Sequence, residues 1–211
     1  MELKKEIRFL IIMLLIVTKF APVADALPIG ALSGWSDNVD FDYSGLDGRT
    51  LTGQIEYAVY DVVDYPGNAP SGGQYIYAYQ ITNSPLSDVP VESFSVAILQ
   101  DAHVGNINWD DYEVNTGVKP SLEYFSPTPE QAKNARFLFL PHLNGLVEKG
   151  DDSVILLFSS NSLPQKGWAL IEGAAIGAVT DALPTPVPEP LTISLLGIGA
   201  LLTFIRKGRP V

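Results

Sequence analysis

The chain has 211 residues, no cysteine, and 24 acidic residues against 13 Lys and Arg, which gives a formal net charge of −11. The lack of cysteine excludes a disulfide framework, thiol catalysis and a Cys-ligated metal site. Between Leu27 and Pro188 there are 20 acidic and six basic residues, a net charge of −14. A domain this acidic repels phosphate backbones, which argues against nucleic-acid binding.

The first 26 residues have the three-part layout of a secretory signal peptide. Basic residues precede the apolar run 9–17, and a polar stretch then ends in the small residues Ala24 and Ala26. This order of basic, apolar and A-x-A regions is typical of a signal peptide. A run of nine apolar residues is too short to cross a bilayer of about 30 Å. We therefore predict an N-terminal signal helix that is cleaved after Ala26; an uncleaved anchor helix is the alternative.

An acidic segment supplies one metal-site hypothesis. Asp40, Asp42 and Ser44, followed by Gly45, match the start of a calcium-binding loop, in which oxygens at positions one, three and five converge on the ion. The twelfth position is Leu51 instead of the bidentate Glu. Asp40, Asp42 and Ser44 are therefore calcium candidates, and a solvated acidic loop is the alternative. No other cofactor is expected.

The middle of the chain shows the period-two alternation of half-buried strands. Tyr, Phe, Val and Ile dominate these runs, as a pleated surface favours, and Gly/Pro/Asn turn signals separate them. The predicted strands are 54–63, 74–82, 91–99, 135–140, 153–159 and 167–171. The pattern predicts a mostly β fold over 27–183, an antiparallel β-sandwich. One short helix is predicted over 128–134.

Two features of this domain suggest sugar chemistry. Tyr75, Tyr77 and Tyr79 share one face of a predicted strand and offer a stacking platform, although alternating tyrosines more often form a core face. Asp110 and Asp111 resemble a glycosidase carboxylate pair, but adjacent strand residues point to opposite sides. An exposed loop is therefore the favoured interpretation of the two aspartates.

Other catalytic patterns are weak. The two histidines, His103 and His142, lack the spacing of a zinc site. No G-x-S-x-G nucleophile elbow and no phosphate-binding glycine loop occur in the sequence. We therefore predict that the domain is not an enzyme.

The C-terminal end has three consecutive elements. Because proline breaks helices and central strands, the stretch Pro184–Pro190 is predicted to be an extended linker outside any sheet. The apolar run 191–205 is near the lower length limit of a transmembrane helix. Arg206, Lys207 and Arg209 follow it and should remain cytoplasmic. These elements predict a precursor anchored in the inner membrane with its domain outside.

This tail resembles the PEP-CTERM sorting signal. Val187, Pro188, Glu189 and Pro190 carry the motif, and the apolar helix and basic cluster follow in the order of that signal. The resemblance covers 184–211. It implies recognition at the Pro-Glu-Pro stretch and loss of the hydrophobic tail through exosortase, a membrane transpeptidase-like cysteine enzyme of Gram-negative bacteria that make exopolysaccharide. A plain membrane anchor is the alternative.

The sequence thus predicts an exported bacterial cell-surface or extracellular-matrix protein with a non-catalytic structural or interaction domain. The resemblance implies an exosortase-type processing enzyme, the membrane before processing and the exopolysaccharide of a biofilm as partners. One alternative is a secreted carbohydrate-binding module that uses the Tyr75 face or a calcium-assisted Asp40 loop. A secreted hydrolase with an unrecognised site is the other.

Overall fold

In the computed structural model, ten β-strands run through the residues that are described, which are Leu27, 30–99, 102–110, 117–126 and 133–187. The strands are β1 (Ser36–Ser44), β2 (Thr50–Asp61), β3 (Tyr75–Asn83), β4 (Ser93–Ala97), β5 (Val104–Asp110), β6 (Leu122–Ser126), β7 (Asn134–Leu138), β8 (Ile155–Ser160), β9 (Leu163–Gly173) and β10 (Ile176–Val187). The prediction of a mostly β fold is confirmed for this part of the chain. None of the residues described here belongs to a helix that is long and apolar enough to cross a membrane.

The strands form two five-stranded sheets. The first sheet has the order β1-β2-β3-β8-β5 and the second the order β10-β9-β4-β7-β6. Every pairing within the two sheets is antiparallel. One buried cluster combines side chains of both sheets, so the sheets pack face to face in a sandwich-like arrangement.

Aromatic side chains dominate the core between the sheets. Tyr77 stacks on Phe158 of the neighbouring strand, with ring centroids 4.9 Å apart and an interplanar angle of 5°. Tyr79 meets Phe94 of the opposite sheet edge-on at 5.5 Å. Such offset and edge-on contacts add to the free energy gained by burying large rings.

A second buried cluster covers the outer face of the first sheet. Ile76 and Ala78 of β3 contribute to it, and they pack with Leu27, ahead of β1, and with Tyr65 in the β2–β3 connection. The central strands of the first sheet are therefore buried on both faces. The described residues form no comparable cluster on the outer face of the second sheet.

Six strands were predicted at the correct places, although their ends differ. These are β2, β3, β4, β7, β8 and β9. Strands β1, β5, β6 and β10 were not predicted. Most of the predicted helix lies outside the described residues, and its last residue, Asn134, begins β7 instead.

The expectation that the Pro-rich stretch stays outside the sheet is wrong for Pro184–Val187. These residues belong to β10, where Pro184 pairs with Lys166 and Pro186 with Pro164. Because β10 is an edge strand, a residue whose N–H would point away from β9 can be proline without loss of a ladder hydrogen bond. The two-residue spacing places both prolines at such positions.

Candidate functional site: an open face on the second sheet

The calcium candidates do not lie in a loop. Asp40, Asp42 and Ser44 are exposed residues of β1, and β1 pairs with β2 along its whole length. Alternate residues of a strand stand about 7 Å apart and point in parallel, so their oxygens do not converge as a calcium loop requires. The Asp40 carboxylate instead accepts a hydrogen bond from Gln54 at 3.0 Å. Within the described ranges, no cluster of three or more His, Cys, Asp or Glu side chains is placed to hold a metal ion.

The tyrosine platform is a core face. Tyr77 and Tyr79 are fully buried, and only Tyr75 is partly exposed. Tyr77 donates to the main-chain carbonyl of Ser162 at 2.8 Å, and Tyr79 donates to that of Pro184. The interpretation of this face as a sugar platform is therefore wrong.

Asp110, the last residue of β5, has a structural function. Its carboxylate is buried and accepts hydrogen bonds from the Tyr65 hydroxyl at 3.1 Å and from the Asn68 main-chain N–H at 2.8 Å. These contacts fasten the β2–β3 connection to the first sheet. Asp111 lies outside the described residues.

The predicted sorting and cleavage residues lie almost entirely outside the described part of the chain. This holds for Ala24, Ala26, Pro188, Glu189, Pro190, Arg206, Lys207 and Arg209. Val187 is the exception, since it is the final residue of β10.

Strand alternation shows which side chains of the second sheet lie on its outer face. Side chains that point into the core from β4, β7 and β9 alternate with side chains that point outward. The outward set consists of Ser93, Ser95 and Ala97 on β4, Asn134, Arg136 and Leu138 on β7, and Trp168, Leu170 and Glu172 on β9. The same alternation adds Leu122 and Tyr124 on β6 and Val179 on β10. We call this surface the open face.

A trough runs along the middle of the open face. Ser93, Ser95 and Ala97 are small and at most 6% exposed, because larger side chains of both neighbouring strands rise beside them. Ser95 pairs with Leu170 of β9 on one side and with Arg136 of β7 on the other. The floor of the trough is therefore β4, and its walls are β7 and β9.

An ion pair bridges the trough at one end. Arg136 donates through Nη2 to Glu172 Oε2 at 2.9 Å, and Ser93 donates its hydroxyl to the same oxygen at 2.6 Å. Both charged side chains remain more than a third exposed. Beside this pair, a cavity of about 430 Å³ is lined by Glu92, Leu138, Ile176 and other residues.

Exposed apolar and aromatic side chains surround this polar centre. Trp168 is 46% exposed and Tyr124 37%, and Leu122 and Val179 are also exposed. In isolation, exposed apolar residues are normal, but several on one sheet face around convergent polar groups are typical of a binding surface.

Sequence reasoning missed this site for a physical reason. Ser93, Arg136, Glu172 and Trp168 belong to no local motif and come together only through the pairing of three strands that are distant in sequence. Comparison of the chain with protein-family models, with curated proteins and with solved structures gave no match.

Proposed function

We propose that this chain is an exported bacterial surface or extracellular-matrix protein. In this proposal a signal peptide is removed after Ala26, and a PEP-CTERM tail directs the protein to an exosortase-type enzyme. The domain between these two segments is non-catalytic and acts through structural or binding contacts.

One observation carries the proposal: the last strand of the described fold ends where the proposed sorting motif begins. Strand β10 ends at Val187, the first residue of that motif, and Leu27, which follows the predicted cleavage site, packs in a buried cluster of the first sheet. Cleavage after Ala26 and at Pro188–Pro190 would therefore leave all ten described strands in the mature chain. This arrangement is what a processed exported domain needs.

The placement of two carboxylates favours a binding domain over a hydrolase. Asp110 is buried and holds the β2–β3 connection, and Glu172 is engaged with Ser93 and Arg136. Both carboxylates are therefore engaged by hydrogen bonds within the protein.

The test is intact-mass spectrometry of the protein recovered from its native host. The wild-type chain should begin near Leu27 and end near Pro188–Pro190, and Glu189→Ala should abolish the C-terminal trimming. Glu148→Ala, which replaces an exposed glutamate outside the motif, is the matched control and should be processed normally. A mass that retains 191–211 in the wild-type protein would contradict the proposal and make the tail a plain anchor.

A further inference from the structure

We propose that the open face binds an uncharged polysaccharide chain laid along the trough between Trp168 and Glu172. The inference deepens the proposed function and rests on it, because it names the partner of the exported domain. The site is new, since it shares no residue with the tyrosine face or the acidic β1 strand considered above.

The dimensions of the trough suit an extended polymer. Trp168 and Glu172 are four residues apart on β9, which separates their Cα atoms by roughly 13 Å. The floor is formed by Ser93, Ser95 and Ala97, whose small side chains are at most 6% exposed, so a ligand would contact the taller side chains of β7 and β9 that flank them. A short stretch of a polymer chain fits this length, and beyond Glu172 it would pass over the Arg136–Glu172 ion pair.

The polar groups of the trough match hydroxyl groups, which both donate and accept hydrogen bonds. Glu172 uses only Oε2 for its contacts with Ser93 and Arg136, so Oε1 remains an acceptor. Among the described residues, Arg136 Nε and Asn134 Oδ1 are buried without a hydrogen-bond partner. A small rotation of Arg136 or Asn134 would bring the Nε donor or the Oδ1 acceptor to a ligand hydroxyl group, which can both accept and donate a hydrogen bond.

The aromatic side chains supply the apolar part of sugar recognition. One face of a pyranose ring presents C–H groups, which pack against the flat surface of an indole or phenol ring. Trp168 lies at one end of the trough, and Tyr124 pairs with Arg136 from the outer side of β7. Ligand sites typically combine aromatic side chains with a few well-placed polar groups, and here these are the exposed rings, the donor Arg136 and the acceptor Glu172.

Charge selects the class of polysaccharide. Within the open face, Arg136 and Glu172 neutralise each other. The stretch from Leu27 to Pro188 has a net charge of −14, so an anionic polymer would be repelled. The same charge opposes face-to-face association of two copies of the chain. An uncharged glycan meets neither obstacle.

The test is affinity electrophoresis of the full-length chain in a zwitterionic, sugar-free detergent. Native gels contain dextran, xyloglucan or galactomannan as neutral probes and alginate as the anionic probe. We expect at least one neutral polymer to retard the protein, and alginate to leave its migration unchanged. Trp168→Ala should weaken the retardation about tenfold, and Glu172→Gln should weaken it as well.

Tyr43→Ala is the matched control, because Tyr43 is an equally exposed aromatic residue on β1 of the other sheet. It should leave the retardation unchanged, and the thermal unfolding of all variants shows whether they remain folded. Lack of retardation by every neutral polymer, or an equal loss in Tyr43→Ala and Trp168→Ala, would overturn the inference. So would association of the protein with itself that Trp168→Ala abolishes. These outcomes do not depend on tail processing, which the mass measurement tests separately.

Discussion

The phenol hydroxyl of Tyr79 donates a hydrogen bond to the main-chain carbonyl of Pro184. Tyr79 lies in the centre of the first sheet, whereas Pro184 lies in the edge strand of the second, and both are buried. Strand β10 ends at Val187, where the proposed sorting motif begins, so this contact joins the last described strand to the centre of the core.

Replacement of Tyr79 by Phe should destabilise the domain. The variant keeps the ring in the core but leaves the buried carbonyl of Pro184 without its donor, which costs about 1–3 kcal/mol. Urea unfolding followed by tryptophan fluorescence measures the difference. Tyr43→Phe, at an exposed position, is the control and should change the free energy of unfolding little. Equal effects of the two changes would contradict this account of the contact.

The buried tyrosines also predict loss of stability at alkaline pH. Burial raises the pKa of Tyr79 and of Tyr77 well above the ordinary value of about 10. The folded state then keeps both protons where the unfolded state has released them. Stability is therefore fully present below about pH 10 and falls above it, by about 1.4 kcal/mol per pH unit for each tyrosine.

Urea unfolding at several pH values above about pH 10 measures this slope. The double variant Tyr77→Phe/Tyr79→Phe, although less stable overall, should lose stability less steeply with rising pH than the wild-type protein. Identical slopes in the two proteins would show that other groups determine the alkaline behaviour.

The strands that were predicted from sequence are those whose alternation or apolar run reflects burial. In β1 the alternation gives no such signal, because Phe41 is its one buried residue and its other positions are exposed or partly exposed. An edge strand with Asp40 and Asp42 on its surface has the composition of a loop, and the calcium hypothesis followed from that resemblance. Only pairing with β2, which lies beyond the Gly45–Arg49 turn, makes it a strand.

The sequence did not predict β10 because a run of prolines is typical of an extended linker outside any sheet. Pro184 and Pro186 occupy alternate positions, with Leu183 and Thr185 buried between and beside them. This alternation is compatible with an edge strand and could have been recognised in the sequence. The open face could not have been recognised in the sequence, because its polar centre depends on the register between β4, β7 and β9.

Substitution of Asp110 tests whether its carboxylate holds the β2–β3 connection against the first sheet. Asp110→Ala removes the buried carboxylate at the end of β5 that accepts from both the Tyr65 hydroxyl and the Asn68 main-chain N–H. We expect a loss of about 1–3 kcal/mol in the free energy of unfolding. Amide hydrogen exchange should also become faster in 62–74 than in the strands of the second sheet.

Asp110→Asn is the matched variant, because its side chain keeps the shape and one acceptor oxygen. It should retain more of the protection of 62–74 than Asp110→Ala does. Uniform loss of protection throughout the domain in Asp110→Ala would contradict a local fastening function and indicate global destabilisation instead.

The β9–β10 turn stores backbone strain that a substitution should release. Ala174 and Ala175 have φ angles of 44° and 68°, a left-handed conformation that is costly for residues with a Cβ. Two-residue turns of this kind favour Asn-Gly. The double variant Ala174→Asn/Ala175→Gly should therefore raise the free energy of unfolding by about 1 kcal/mol. The reverse change, Gly48→Ala at φ 80° with no atom within 4 Å of the new Cβ, should lower it by about 1 kcal/mol. Changes of the same sign in urea unfolding of the two variants would show that backbone conformation does not set the stability of these turns.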